Sequence, residues 1–255
     1  MSTGQVSATP GTVDELGGDD LLPVAEVFGP TIQGEGPAAG RAAMFARFTG
    51  CNLSCSWCDT PYTWDANRFD LSTERRLTPA REVAAVLGAG AGWAGVVVLT
   101  GGEPLLQQDR SGWAYLLRRL ARSRLHIETN GTLAPAPVTL EHTELIVVSP
   151  KLGNAGPHRG HQDPTLHPLY RDLARCERPS VHLKFVVEDA TDVQRAAQLA
   201  DQLGWSPGRT WVMPQGATAA ELAARWPDVA AAAAGCGISA SHRLHVLAWG
   251  NMRGR

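Results

Sequence analysis

The feature that most restricts the fold of this chain is an alternation of short apolar runs with helical segments. Each run is six or seven residues long, and such short apolar segments bounded by polar or glycine residues are typical of buried strands. The runs span residues 95–100, 125–130, 144–150, 181–187, 210–215 and 244–249. Strands that alternate with helices form a parallel sheet with right-handed crossovers. The sequence therefore predicts an α/β fold with about six parallel strands.

Two further strands and several helix starts complete the predicted order of elements. Residues 21–28 and 42–48 are expected to form strands on either side of a Gly- and Pro-rich turn. Helix starts are marked by residues that cap N-termini. These signals are Thr78 before Pro79, Thr191 with Gln194, and Thr218 with Glu221. The Ala-rich tract 228–234 favours a helix by propensity.

The composition limits the domain organisation and the class of partner. Residues 1–20 are rich in small polar residues and have neither a basic nor an apolar signal-peptide region, so we expect a disordered leader before one domain at 21–255. No apolar run approaches the roughly 18–20 residues that span a bilayer. A net charge of -2 gives no case for a nucleic-acid or membrane partner. We expect a cytoplasmic protein with reduced thiols.

Polar or glycine-rich residues follow four of the predicted strands. The sequences are TGGEP (100–104), ETNGT (128–132), SPK (149–151) and MPQG (213–216). Any one of them is compatible with an ordinary turn. In α/β folds, however, ligands bind at the carboxyl ends of the strands, where these four segments would meet. The sequence therefore predicts a binding site at that edge of the sheet.

Three cysteines lie within eight residues, with the spacing Cys-x3-Cys-x2-Cys. They are Cys51, Cys55 and Cys58. A structural zinc site needs a fourth ligand, and none is near in the sequence, although a distant one could fold in. An iron–sulfur cluster normally has four cysteine ligands, so three would leave one iron open. Three free thiols remain a further alternative. The isolated Cys176 and Cys236 are expected to be inert buried thiols.

This cysteine motif followed by Gly-Gly-Glu-Pro resembles the radical S-adenosylmethionine (SAM) superfamily. The ordered set of IQGEG, RFTGCNL, WCDT, TGGEP, ETNGT, SPK and LHVLAWGN is similar to the 7-carboxy-7-deazaguanine synthase family. The resemblance runs from about Glu26 to the C-terminus. It implies a dimeric, partial (β/α) barrel of the radical SAM type. The short Cys-x3-Cys loop is the common superfamily form.

The resemblance also implies a reaction and its cofactors. The family contracts the ring of 6-carboxy-5,6,7,8-tetrahydropterin to 7-carboxy-7-deazaguanine with loss of ammonia, in the pathway to queuosine and other 7-deazapurines. It uses SAM, a [4Fe-4S] cluster and Mg2+, and a flavodoxin or ferredoxin is the expected reductant. A glycyl-radical activase of the same superfamily and a zinc-stabilised binding module remain the alternatives.

Site roles follow from the resemblance at matching positions of this sequence. Cys51, Cys55 and Cys58 would ligate the cluster, and Thr60 would reach Mg2+. Glu103 would pair with the SAM ammonium. The remaining predicted SAM contacts are Gly101, Gly102, Glu128, Asn130, Ser149, Pro150, Lys151, Met213, Pro214, Gln215 and Gly216. The predicted substrate contacts are Ile32, Gln33, Gly34, Glu35, Arg47, Thr100 and His245.

The Gly- and Pro-rich segment after Lys151 is a candidate lid over this site. It includes His158 and His161 and is followed by His167. The mixed spacing of these histidines favours a solvated loop over a second metal site. Independently of the family, an amide and a carboxylate at Gln33 and Glu35 can read a pterin edge, and the Arg47 guanidinium can hold a carboxylate.

Overall fold

Nine strands form one sheet in the described part of the chain. The computed structural model describes residues 17–158 and 164–255. The strands are β1 (Leu21–Ile32), β2 (Ala42–Phe48), β3 (Arg76–Pro79), β4 (Val96–Gly101), β5 (Arg124–Thr129), β6 (Leu145–Val148), β7 (Ser180–Val187), β8 (Thr210–Pro214) and β9 (Ser239–Ala240). Their order across the sheet is β3-β1-β2-β4-β5-β6-β7-β8-β9.

The sheet is parallel except at one edge. β1 pairs antiparallel with both β2 and β3, whereas every pair from β2–β4 to β8–β9 is parallel. The strands run as one open series with β3 and β9 at its ends. The predicted α/β architecture with about six parallel strands, of the partial-barrel type, is therefore confirmed. The carboxyl ends of these strands lie along one edge, as a binding site there requires.

Eight helices accompany the strands in the described residues. They are α1 (Leu71–Glu74), α2 (Ala80–Ala94), α3 (Ser111–Arg119), α4 (Pro137–His142), α5 (Leu169–Leu173), α6 (Ala190–Gln202), α7 (Ala219–Gly235) and α8 (Leu244–Trp249). The side chain of Trp113 on α3 is fully buried and meets the Phe48 ring edge-on at 5.6 Å between centroids. The main core thus lies between the sheet and its helices.

The pleat of the strands separates this core from the functional face. In β4, Val97 and Leu99 point into the helix-side core. Their neighbours Val96 and Val98 belong to a smaller cluster with Phe45. Because successive side chains of a strand point to opposite faces, Thr100 lies on the same face as Val96 and Val98. The same alternation puts Glu128 of β5 and Lys184 of β7 on that face, while Ile127, Leu183 and Phe185 lie in the helix-side core.

The prediction of a last strand at 244–249 is wrong, because these residues form α8. Only Val246 of this helix is buried, whereas Leu247 and Trp249 are exposed. A six-residue apolar run cannot be assigned to strand or helix by periodicity alone. The final parallel strand is instead the two-residue β9, which pairs with β8.

Of the three predicted helix starts, one is confirmed. Thr218 and Glu221 form the complete capping box at the start of α7, which also contains the Ala-rich tract. Thr78 is no cap, since it lies in β3 and α2 begins at Ala80. Thr191 is also wrong, because Asp189 caps α6 by accepting a hydrogen bond from the backbone N–H of Asp192. Aspartate competes well with threonine as an N-cap.

The predicted leader falls largely on residues 1–16, which lie outside the described residues. Residues 17–20 form a turn before β1. The carboxylate of Asp20 accepts hydrogen bonds from the Gly112 backbone N–H (2.9 Å) and the Ser111 hydroxyl (3.1 Å), which ties this turn to the start of α3. Among the helices described, none has the length and apolar character needed to cross a bilayer.

Candidate functional site

One large cavity opens at the carboxyl ends of the parallel strands. It has a volume of about 580 Å³. The predicted residues on its wall are Ile32, Gln33, Glu35, Arg47, Cys51, Cys55, Cys58, Thr60, Thr100, Gly101, Gly102, Glu128, Asn130, Ser149, Lys151, Met213, Gln215, Gly216 and His245. Four predicted residues do not line it, namely Gly34, Glu103, Pro150 and Pro214. The polar strand ends therefore meet in one place.

The loop that carries the three cysteines is fixed against residues 153–158. The Ser56 backbone N–H donates to the Ala155 carbonyl at 2.9 Å, and the Ser54 N–H donates to the Nδ1 of His158 at 3.1 Å. His158 is thus engaged with the cysteine loop rather than with solvent alone. His161, in the same predicted lid, lies outside the described residues. Farther along, the His167 backbone N–H donates to the Gly131 carbonyl at 2.8 Å.

The thiols of the cysteine loop receive several N–H donors. The Trp64 indole donates to Cys58 Sγ at 3.3 Å, and the Leu53 backbone N–H donates to Cys51 Sγ at 3.4 Å. Burial raises the pKa of Cys51 to about 12 and also raises the pKa of Cys55. The bare thiols of Cys51 and Cys55 are therefore protonated at neutral pH, and a cationic centre is needed to stabilise them as thiolates.

The chemistry of the three thiols suits an iron–sulfur cluster. In the described ranges, no group of three His, Cys, Asp or Glu side chains has the arrangement of a single-ion site. All three thiols nevertheless face one cavity, and soft sulfur ligands with N–H donors are the environment of an iron–sulfur cluster. The residues present therefore fit such a cluster.

The glycine pair after β4 packs against the chain that enters the cysteine loop. A Cβ on Gly101, which has a φ of +147°, would be 2.3 Å from the Phe48 carbonyl oxygen. A Cβ on Gly102 would be 2.1 Å from the Gly50 carbonyl oxygen. The Glu103 backbone N–H donates to that carbonyl at 2.8 Å. Only glycine permits this contact, which holds the TGGEP turn beside Cys51.

The carboxylate of Glu103 is fully buried behind this turn. It accepts hydrogen bonds from the Thr129 hydroxyl (2.8 Å) and from the backbone N–H groups of Leu105 (3.0 Å) and Asn130 (2.7 Å). Burial outweighs these donors and raises its pKa. These hydrogen bonds tie TGGEP to ETNGT. They turn the Glu103 carboxylate into the fold, whereas the predicted pairing with SAM requires a carboxylate that faces the cavity.

The polar ends of β5 and β6 both contact the cysteine loop. The Asn130 amide donates to the Asn52 side-chain oxygen at 2.9 Å, beside the cysteine loop. Lys151 Nζ donates to the Ser149 hydroxyl at 2.9 Å and lies 5.4 Å from the Trp57 ring centroid. The buried Trp57 Nε1 finds no acceptor among the described residues. A bound ligand can use this donor.

Glu128 lies with the predicted substrate residues rather than with Asn130. Its carboxylate accepts from the Gln33 amide at 3.0 Å and from the Thr100 hydroxyl at 2.8 Å. Lys184 Nζ is 3.7 Å from the same carboxylate. Gln215, another predicted SAM contact, is bound through its backbone and side-chain oxygens by Arg225, each at 2.7 Å.

Two buried cations enclose the carboxylate of Glu35. Lys184 Nζ donates to Oε2 at 2.5 Å, and Arg243 Nε donates to Oε1 at 2.9 Å. The Lys184 side chain is 7% exposed and that of Arg243 is 5% exposed. Although burial opposes ionisation, the two cations hold the pKa of Glu35 well below its usual range. Glu35 is therefore a carboxylate, with fixed acceptor oxygens.

A second group of charges lies near the mouth of the cavity. Arg47 Nε donates to the Glu26 carboxylate at 2.7 Å, and the Tyr62 hydroxyl donates to it at 2.9 Å. The Arg253 guanidinium lies over the Tyr62 ring at 4.1 Å and is 3.4 Å from Glu26. The Arg47 guanidinium is thus oriented through its Nε, and the side chain lines the cavity.

His245 reaches the charged group of Glu35 and Arg243 from α8. A Cβ on Gly34 would be only 2.0 Å from its Nδ1, so glycine makes room for the ring. Burial lowers the pKa of His245, and a neutral imidazole is expected at pH 7. Its Nε2 is 3.4 Å from Arg243 Nη2. Gly34 thus shapes the site without lining it.

The sequence did not identify several charged or aromatic residues of the cavity wall. Lys184 had a usable signal, since it is a lone cation at the inward position between Leu183 and Phe185. Arg243 and Glu26 had none, because their partners are far away in sequence. The unpredicted polar and aromatic wall residues include Glu26, Trp57, Asp59, Tyr62, Trp64, Lys184, Arg243 and Arg253. Cys176 and Cys236 are free thiols that pack at the edge of the main core.

The sheet, the cysteine loop and the glycine turn define a radical SAM protein, and residues 46–146 match the radical SAM superfamily model. The chain is 34% identical to the 7-carboxy-7-deazaguanine synthase of Pyrobaculum aerophilum, over 91% of this chain and 96% of that protein. It is also 34% identical to the enzyme of that name from Halobacterium salinarum, over 96% of this chain and 97% of that protein. The chain belongs to the 7-carboxy-7-deazaguanine synthase family.

A solved structure supports the fold assignment. The crystal structure of QueE from Escherichia coli superposes with a TM-score of 0.60, at 24% identity, and covers 87% of this chain and 93% of that one. Together, the relatives and the radical SAM match identify an enzyme of this type, and the superfamily implies SAM and a [4Fe-4S] cluster.

Proposed function

We propose that this chain converts 6-carboxy-5,6,7,8-tetrahydropterin to 7-carboxy-7-deazaguanine and releases ammonia. The observation that carries the proposal is one cavity with two unlike ends. Three thiols and a glycine turn lie at one end, and the fixed carboxylates of Glu35 and Glu128 lie at the other. Family membership supplies the reaction, and these residues supply a suitable place for each reactant.

The thiol end would hold the cluster and SAM. Cys51, Cys55 and Cys58 would ligate the cluster, which leaves one iron for the amino and carboxylate groups of SAM. When bound, the two cofactors supply the one-electron chemistry that abstracts a hydrogen atom from the substrate. The backbone of Gly101 and Gly102 would lie along the methionyl part, and Lys151 would pair with its carboxylate. Asn130, Ser149, Met213, Gln215 and Gly216 would complete the cofactor wall.

Three predicted SAM contacts do not line the cavity, and in this proposal they act indirectly. Glu103 would hold the TGGEP turn against the Asn130 backbone, since its carboxylate already accepts three hydrogen bonds. Pro150 and Pro214 would fix the backbone between lining neighbours. Glu128 would act on the substrate rather than on SAM, because it is bonded to Gln33 and Thr100.

The charged end would recognise the pterin. A pterin edge combines N–H donors with a carbonyl acceptor, and carboxylates beside an ammonium offer the matching acceptors and donor. Glu35, Glu128 and Lys184 form such an array. Ile32 and the Gln33 amide would cover the ring. Arg47 would hold the carboxylate, since its side chain lines the cavity and is oriented through the bond from Nε to Glu26.

Mg2+ would bind between the two ends, at Thr60. The Thr60 side chain lines the cavity, and its hydroxyl is 3.7 Å from Cys58 Sγ. Mg2+ is a hard cation that usually has few protein ligands and several water or substrate oxygens around it. A single protein hydroxyl at this point is therefore sufficient. Thr60 would hold the ion, which would supply positive charge for the substrate carboxylate.

The partners of the enzyme follow from family resemblance. We propose a homodimer with flavodoxin or ferredoxin as transient reductant, in the cytoplasm, where thiols stay reduced. Apolar side chains on α8 and just after it are exposed and offer surface for subunit contact, namely Leu247, Trp249 and Met252. Light scattering tests the dimer, and a monomer at micromolar concentration would reject it.

The direct test is an anaerobic assay of the cluster-loaded protein with SAM, Mg2+, a reductant and the carboxylated tetrahydropterin. We expect formation of the deazaguanine chromophore. For Arg47→Ala, weaker substrate binding is expected with SAM binding retained. A wild-type protein that cleaves SAM but leaves the pterin unchanged would reject this substrate. A colourless, zinc-containing protein would reject radical SAM chemistry altogether.

A further inference from the structure

Arg243 contacts three segments that are distant in the sequence. Its Nε donates to Glu35 before β2, and its Nη1 donates to the Gly216 carbonyl after β8 at 2.5 Å. Its Nη2 forms a short ion pair with the carboxylate of Asp59. The side chain is 5% exposed and lines the cavity. Each guanidinium nitrogen therefore serves a different wall of the site.

The chemistry of arginine suits such a junction. The guanidinium is planar and permanently charged, so its donors leave in fixed directions. Two carboxylates balance that charge, while Lys184 shares Glu35. A lysine at the same place would have a single ammonium nitrogen and could not reach all three partners in these directions. The geometry is thus specific to arginine.

The junction connects the two ends of the cavity. Asp59 lies between Cys58 and Thr60, at the end of the cluster loop. Glu35 is at the centre of the charged end, on the loop that begins at Gln33. A displacement of about 1 Å between reacting groups can lower a rate by about a hundredfold. The distance between these loops therefore matters for any reaction that uses both.

We infer that Arg243 is a positioning residue that fixes the Glu35 loop relative to the end of the cluster loop. The inference rests on the proposed function only for the identity of the substrate. It assigns Arg243 no contact with the reacting atoms. Its effect passes through Glu35 and Asp59, so its loss should affect substrate positioning more than SAM binding.

Arg209 provides a matched control for the loss of a buried arginine. Its Nη1 donates to the carbonyls of Ala174 (3.1 Å) and Cys176 (2.6 Å), and its Nη2 donates to Glu177 (3.0 Å). Its side chain is 17% exposed and does not line the cavity. Arg209→Ala removes a comparable set of contacts away from the site.

The first experiment measures hydrogen–deuterium exchange of the cluster-loaded protein without substrate. In Arg243→Ala, we expect faster exchange in residues 33–41 and 58–63 than in the wild type. Arg209→Ala should leave both segments unchanged. Unchanged exchange in Arg243→Ala would overturn the inference. This readout does not depend on which substrate the enzyme uses.

The second experiment compares substrate binding, SAM binding and turnover. For Arg243→Ala, we expect the Kd of the carboxylated tetrahydropterin to rise by about tenfold or more, with iron content and SAM binding close to wild type. Arg243→Lys should be nearly as impaired, and added guanidinium should partly restore Arg243→Ala. Parallel loss of iron, SAM and substrate binding would overturn the inference in favour of a general folding role.

The two hypotheses fail in different ways. If the wild type does not bind the pterin although Arg243→Ala alters exchange in both segments, the proposed substrate fails and the positioning role stands. If the wild type forms the product and Arg243→Ala matches it in substrate Kd and turnover, the positioning role fails and the proposed function stands.

Discussion

The two ends of the cavity use opposite electrostatic designs. The thiol end combines Cys51, Cys55 and Cys58 with glycine backbone and indole N–H groups, and Lys151 is its main cation. The other end contains the interlocked charges of Glu35, Lys184 and Arg243. The thiol end is suited to bind a charged cofactor. The other end already contains charged side chains in fixed positions.

The pKa shifts of the two ends have opposite signs for this reason. Burial, which outweighs the attraction of Lys151, raises the pKa of Cys51 to about 12. Burial with two cations leaves Glu35 with a lowered pKa. Preorganised charges stabilise a ligand without reorganisation when it binds. The comparison predicts that substitutions at one end should impair one ligand and spare the other.

The largest effect is expected for Cys51→Ala. Two thiolates do not hold a [4Fe-4S] cluster with an open iron, so iron binding and 5′-deoxyadenosine formation should both be lost. Iron analysis and chromatography of the anaerobic reaction measure the two quantities. Cys176→Ala is the control, because this thiol lies outside the cavity, and it should retain both. Retained SAM cleavage in Cys51→Ala would reject the ligand assignment.

Glu35→Gln should have the next largest effect, at the other end only. It removes the anion between Lys184 and Arg243 and leaves two buried cations short of a partner, which costs about 3 kcal/mol in the free energy of unfolding. Substrate affinity should fall by about tenfold or more, while SAM affinity is retained. Urea denaturation and calorimetric titration measure these changes. Loss of SAM affinity in step with substrate affinity would refute the separation.

The effect of Glu35→Gln on the free energy of unfolding should depend on pH. The pKa of Glu35 is depressed in the folded chain, so its contribution to stability is present above the ordinary glutamate pKa of about 4.3 and is lost as the pH falls toward the folded value. The difference in unfolding free energy between wild type and Glu35→Gln should therefore shrink below that pH. A constant difference from pH 7 to acid would show that Glu35 is not held ionised by its partners.

The difference between the two ends also explains what the sequence could predict. The thiols lie within one short loop, and the glycine turn follows an evident strand, so local spacing located that end. The charged end joins Glu35, Lys184 and Arg243, which are separated by about 150 and about 60 residues and meet only through the sheet. The resemblance and the chemistry of a carboxylate on a glycine-rich loop identified Glu35, and nothing identified Arg243.

Other errors arose where local signals were ambiguous. Residues 244–249 were compatible with a strand or a helix, and tertiary placement beside Gly34 made them a helix that presents His245. Glu103 was expected to face the cavity because the family resemblance pairs it with the SAM ammonium. Its side chain instead finds three donors inside the fold, which no single-sequence pattern shows.

A smaller effect is expected for Thr60→Val, between the two ends. Loss of the hydroxyl should raise the Mg2+ concentration needed for half-maximal turnover, while the unfolding free energy changes by less than about 0.5 kcal/mol. Thr60→Ser keeps the hydroxyl and should resemble wild type. Turnover that is indifferent to Mg2+ after chelation, in wild type and variant alike, would remove the ion from the proposal.

The smallest effect is expected for Trp64→Phe. This change removes the indole N–H that donates to Cys58 Sγ at 3.3 Å but keeps an aromatic ring. Hydrogen bonds to cluster sulfurs favour the reduced state, so the midpoint potential should become more negative. Redox titration followed by electron paramagnetic resonance measures it, with the remote Trp249→Phe as control. An unchanged potential would show that this contact does not tune the cluster.

The most direct test of the separation between the two ends is the ratio of deazaguanine product to 5′-deoxyadenosine formed by Glu35→Gln under anaerobic conditions. We predict that SAM cleavage persists and that the ratio falls well below that of the wild type, because the substrate is misplaced while the cofactor end is intact. A parallel fall of product and 5′-deoxyadenosine, with the wild-type ratio preserved, would contradict this.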